Sequence, residues 1–186
     1  MSRIPRHLPA ELDDDQRRLY EAITRGPRAK NPFGVADADG ALTGPFNAML
    51  LHPPLGDPLQ RLGAAIRHAG ALSDREREMA ILLVAASLHS GFEQFAHEHV
   101  GRQLGVTEAE VSALRAQREP ELTDAREFAV VRTTRRLLDH ATLTDEEYAE
   151  AVGALGASLL FELSTLVGYY RLIALQLNVF GVDRPQ

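Results

Sequence analysis

Apolar residues recur at helical spacing along most of the chain, and nowhere do polar and apolar residues alternate long enough to make a sheet. Glu11 to Thr24 reads as a first helix, ended by Gly26-Pro27. The stretch from Arg28 to Thr43 is rich in Gly, Asp and Pro and reads as loop, long enough to be a lid or a partner-wrapping arm. Phe46 to Leu51 makes a short helix broken by Pro53-Pro54, and Leu59 to His68 follows, closed by Gly70. Ser73-x-x-Glu76, Thr107-x-x-Glu110 and Thr144-x-x-Glu147 have the form of capping boxes, so each opens a helix. The first of these helices runs to about Leu88 and the last ends at Gly153 or Gly156. Between them, His89-Ser90-Gly91 turns into a helix that stops at Gly105, and Asp124 to about His140 forms a long one after Pro120. A final helix from Ser158 to Phe180 is stopped by Gly181. The fold class is all-α, with no internal repeat and no low-complexity segment.

Two of these helices carry charge where the pattern calls for apolar residues. Glu93 and His97 stand four apart on one face, which continues through Val100 and Leu104, while Gln94, Glu98 and Arg102 fall on other sides. Glu78 lies on the preceding helix in line with Leu82 and Ala85. A carboxylate on a buried stripe is costly unless it is paired, so three such groups point to one shared polar pocket. Histidine exchanges protons near neutrality because its unperturbed pKa is about 6.5, and a neighbouring carboxylate would fix its tautomer and raise that value. Glu78, Glu93 and His97 are therefore the candidate catalytic groups. His89 and Ser90 at the turn, and Tyr169 and Tyr170 on the last helix, are candidate substrate contacts. One tyrosine is expected to pack and the other to aim its hydroxyl at the pocket or a subunit boundary. His52, before Pro53, is read as structural. No metal is expected: His99 cannot join His97 on one face, and two carboxylates with one histidine lack a second imidazole.

The same residues carry a resemblance. Arg77-Glu78 opening an apolar helix, then Phe92-Glu93 and His97, resembles the signature of the carboxymuconolactone decarboxylase family, whose superfamily includes the alkyl hydroperoxidase D-like reductases. Glu162-Leu163 through Gly168-Tyr169-Tyr170-Arg171 to Asn178 and Phe180-Gly181 is similar to the family's C-terminal helix. Gly44-Pro45-Phe46 with His52-Pro53 is similar to its N-terminal approach. The likeness covers roughly Gly44 to Val182. It implies a multi-helix alkyl hydroperoxidase D-like bundle at 44–182, preceded by an N-terminal helix and extended arm at 1–43. It also implies a homo-oligomer, with a trimer or hexamer favoured over a dimer. The reductase branch places a Cys-x-x-Cys pair where this chain has Ser90 and Glu93, and the chain contains no cysteine. Thiol peroxidase and disulfide-reductase chemistry by that route is excluded.

Composition narrows the remaining classes. A net charge of −6, with basic residues scattered among acids, argues against nucleic-acid binding. Lack of cysteine rules out disulfides and cysteine-ligated zinc and fits a reducing compartment. Met1 to Ala10 has no apolar signal-peptide core. Glu162, Arg171 and Asn178 interrupt the last helix and leave eight uncharged residues from Leu163 to Tyr170, against the roughly 20 of a membrane span. A soluble, cytoplasmic protein is expected.

The resemblance, with the Glu/His cluster, implies a cofactor-free lyase or proton-transfer enzyme acting on a small carboxylated or lactone-type metabolite. His97 would donate the proton or polarise the substrate, tuned by Glu78 or Glu93. Arg67, Arg77 and Arg171 are candidates for anchoring an anionic substrate. The alternative is a non-catalytic oligomeric protein that binds a ligand or partner and keeps the fold without the chemistry.

Overall fold

The computed structural model describes residues 2–30 and 34–182. Among them are nine α-helices, two short 3-10 helices and no strand beyond an isolated bridge between Ala36 and Leu42. The chain divides into two compact units, residues 1–70 with 175–186, and residues 71–174.

The first unit holds α1 (Asp14–Arg25), α2 (Pro45–Met49) and α3 (Pro53–His68). The first helix starts later than its periodicity suggests, because Asp13 caps it: the Gln16 N–H donates to Asp13 Oδ1 at 2.8 Å. The proline pair at 53–54 begins α3 rather than breaking the chain, since the first helical turn needs no N–H donor. Pro58 is also accommodated inside that helix. At Gly56 the packing requires glycine, because a Cβ would lie 2.5 Å from the Met49 carbonyl and 2.8 Å from Leu19 Cδ2. Of the stretch expected to be a lid or arm, residues 31–33 lie outside the described residues. The rest is folded in: Asp37 N–H donates to the Ala41 carbonyl, Thr43 N–H to the Val35 carbonyl, and Val35, Ala41 and Leu42 are buried.

The second unit is built on α4 (Asp74–Ser87), with α5 (Gly91–Gln103), α6 (Glu108–Arg115), α7 (Ala125–His140), α8 (Asp145–Leu155) and most of α9 (Ala157–Phe180). Every residue of α4 from Glu76 to Ala86 is buried, so this helix is surrounded rather than amphipathic. Met79, Leu82 and Leu83 pack with Val106, Val111, Leu114 and Val131 in one apolar cluster. Each fully buried side chain of this kind contributes about 2 kcal/mol relative to exposure.

Polar side chains fix the ends of α4. Ser73 and Glu76 form the expected capping box, and the Glu162 carboxylate of α9 accepts from the Ala71 and Leu72 N–H groups at 2.7 and 3.1 Å. Arg75 reaches Glu110 at 2.5 Å and Glu127 at 2.6 Å, tying α4 to α6 and α7. By length and composition α9 is apolar enough to cross a membrane, but half of its most apolar window is buried inside the protein. Leu163, Leu166, Ile173 and Ala174 are fully enclosed, as expected of a core helix.

Candidate functional site

The site lies where α5 packs on α4. Glu78 sits on the wholly buried helix with no solvent exposure, and such a carboxylate requires a partner. His97, almost two turns into α5, supplies it: the Nδ1–H donates to Glu78 Oε2 at 2.5 Å. The other ring nitrogen, Nε2, lies 3.3 Å from Glu93 Oε2 on the same helix face. That second contact is an ion pair too poorly aligned for a hydrogen bond, so Glu93 Oε2 is buried without a hydrogen-bond partner. The three candidate catalytic groups are thus brought together, with the imidazole between two carboxylates. No three His, Asp or Glu side chains among the described residues are arranged to hold a metal ion.

Burial disfavours a charged imidazole, but the charge and hydrogen bond of Glu78, with the Glu93 carboxylate on the other side, outweigh it and raise His97 to about 9. At neutral pH the ring is therefore an imidazolium, and it donates toward both carboxylates. The ring edge is also packed: Tyr170 meets His97 in a T-shaped contact with centroids 5.3 Å apart, and Tyr169 packs against Tyr170 at 5.2 Å. Both tyrosines are buried.

Ser90 occupies the N-cap of α5 with its hydroxyl fully buried and unpartnered. Ser90-x-x-Glu93 has the sequence of a capping box, yet the box is not made. Its backbone explains why. At Ser90 ψ is 97°, whereas the N-caps of the made boxes at Asp13, Ser73, Thr107 and Thr144 have ψ from 158° to 176°. His89 is placed differently from expectation: it is exposed, in the left-handed region at φ 51°, and its side chain is not among the groups around His97. His52 stands exposed at the N-cap of α3 in the first unit. Of the candidate anchoring arginines, Arg77 turns its guanidinium to Asp74, and Arg171 is exposed on α9.

One buried acid escaped the sequence pattern. Glu98 was placed off the interior stripe, but it is buried and accepts from Arg115 Nε at 2.8 Å and Nη2 at 2.5 Å. The available signal was Arg102, which stands four residues along and also pairs with Glu98.

Residues 53–136, which contain all three members of the cluster, match the profile of the Carboxymuconolactone decarboxylase family. No curated protein sequence matches the chain. Among solved structures, the fold is similar to the alkylhydroperoxidase AhpD core of an uncharacterized peroxidase-related protein from Ralstonia eutropha JMP134. That match has a TM-score of 0.76 and 16 % identity over 100 % of this chain and 93 % of the other. An uncharacterized peroxidase-related protein from Silicibacter sp. TM1040 aligns with a TM-score of 0.76 and 13 % identity, over 99 % and 92 % of the two chains. At such identities the likeness establishes the all-helical AhpD-like fold.

The raised His97 pKa links protonation to folding. A group held at about 9 in the fold and about 6.5 unfolded stabilises fully below pH 6.5, and the contribution disappears as pH rises through 9. At 1.36 kcal/mol per unit the loss is at most about 3 kcal/mol. Urea denaturation of the wild type should show stability falling between pH 6.5 and 9.5, and His97→Gln should flatten that fall. An unchanged slope in the variant would disprove the linkage.

Proposed function

We propose that this chain, whose residues 53–136 belong to the carboxymuconolactone decarboxylase family, is a cofactor-free proton-transfer enzyme or lyase acting on a small carboxylated or lactone-type molecule. The observation that carries the reading is the Glu78–His97–Glu93 cluster, built on the best-enclosed helix of its unit and filled at both imidazole nitrogens. That filling supports a division of labour. Glu78 orients the ring, His97 holds a proton against Glu93, and Glu93, whose Oε2 is in no hydrogen bond, is the group that exchanges a proton with the substrate. Glu93 rather than His97 is the direct donor in this reading, because each ring nitrogen faces a carboxylate. Loss of carbon dioxide from a carboxylate beside a carbonyl-activated carbon, or of a proton beside a carbonyl, leaves an enolate that must be reprotonated, and a buried carboxyl beside an imidazolium suits that task. Thiol-based peroxide reduction has no nucleophile here, since cysteine is absent.

A panel of lactones and β-keto acids incubated in deuterated buffer tests this directly, with NMR reading deuterium uptake or decarboxylation. At least one compound should turn over. Glu93→Gln and His97→Gln should then each slow it by about 10²–10⁴-fold, the usual contribution of a general acid/base, with helical circular dichroism retained. A second reading, a ligand- or partner-binding protein without chemistry, is favoured by the burial of the three side chains against one another. It predicts no turnover by the wild type, whereas turnover untouched by both variants would place the chemistry outside this cluster.

The same reading includes assembly with further copies. Phe161, Leu172, Leu175 and Val179 are 74, 41, 56 and 50 % exposed along one side of α9, at helix-packing intervals and with Gly168 open beside them. Four large apolar side chains exposed on one helix suit burial against another copy. Light scattering should give a multiple of 20.4 kDa, and a monomer at micromolar concentration would contradict it.

A further inference from the structure

Among the described residues, Ser90 Oγ and Glu93 Oε2 are buried side-chain atoms without a hydrogen bond, three residues apart at the start of one helix, with Glu93 Oε2 in its 3.3 Å ion pair to His97 Nε2. Ser90 is fully buried, and Glu93 is 3 % exposed. A buried hydroxyl without a partner is destabilising, and so is an uncapped helix start. The made boxes at Ser73 and Thr107 show that this chain forms the same device readily elsewhere. At α5 it leaves undone a stabilising arrangement that its sequence permits. The first-turn N–H groups of a helix have no acceptor within it, and here the Ser90 side chain does not provide one. These donors begin the helix turn that carries the Glu93 carboxylate.

We infer that the N-terminus of α5 is the docking point for a carbonyl oxygen of an enolisable small molecule, held by the Ser90 hydroxyl and the first-turn N–H groups, with Glu93 Oε2 facing the adjacent C–H. This deepens the proton-transfer reading and rests on it for the chemistry, though not for the binding. In the step, the C–H bond breaks and its proton passes to Glu93 Oε2. The electron pair moves onto the carbonyl oxygen, where the helix N-terminus and the Ser90 hydroxyl stabilise the enolate. Return of the proton to the same or a neighbouring carbon completes the cycle without oxidant or reductant. Ser90 is thus assigned as a substrate-binding residue, and the substrate is narrowed to compounds whose carbonyl has an acidic neighbouring carbon.

The test uses acetohydroxamic acid, which offers a carbonyl acceptor next to an acidic donor, titrated into the ¹⁵N-labelled full chain. Saturable amide shifts should appear at Gly91, Phe92 and Glu93. Ser90→Ala should weaken binding about tenfold, the loss of one hydrogen bond, while melting no lower than the wild type because that hydroxyl bonds to nothing in the protein. Shifts that never saturate, shifts centred elsewhere, unchanged binding in Ser90→Ala, or a variant that melts several degrees lower would each overturn the inference. His97→Gln separates the two proposals. Docking retained without turnover leaves both standing, docking retained with wild-type turnover refutes only the proton-transfer role, and turnover in a wild type that does not bind the probe refutes only the docking site.

Discussion

A carboxylate with no contact to water constrains everything around it. Glu78 is such a group, and the fold answers it with the His97 imidazole at hydrogen-bonding distance. Removing one partner of a buried ion pair leaves an uncompensated charge, a far larger penalty than the pair's own net contribution. The approach of α5 to α4 is therefore set by charge as well as by apolar contact. Glu93 follows from helical spacing, because a residue one turn before His97 on the same face must meet the other side of the ring.

Position on α4 gives this arrangement its rigidity. The helix is enclosed from Glu76 to Ala86, and its ends are held by Ser73, by Glu162 from α9 and by the Arg75 pairs to Glu110 and Glu127. A site carried on such a support keeps its geometry better than one on loops. The α5 side differs: its N-cap is unmade, and His89 before it adopts a left-handed conformation that favours glycine. Stability is given up at the uncapped start of α5 and kept on α4, which holds Glu78.

Much of this was legible in the sequence, for identifiable reasons. Ser73, Thr107 and Thr144 named three helix starts because a capping box is local chemistry that tertiary packing seldom overrides. Glu78, Glu93 and His97 stood out because ionisable groups on apolar faces conflict with their surroundings. Because α4 is buried on all sides, lying in line with Leu82 and Ala85 does not by itself single out Glu78. For the same reason Glu98 was missed, since α5 buries a second face against an arginine from α6. Pro53-Pro54 was taken as a break because proline both ends and begins helices, and sequence alone does not say which. The unmade cap at Ser90 had no signal at all, because its motif is identical to those that form.

The central claim is that His97 is held as an imidazolium between two carboxylates in the folded protein. Nitrogen-15 NMR of the histidine-labelled chain reads this directly, since protonated and unprotonated ring nitrogens resonate far apart. At pH 7.5 both nitrogens of His97 should be protonated, and the ring should titrate near pH 9. A neutral ring at that pH, with a midpoint at or below the ordinary value of about 6.5, would contradict the account.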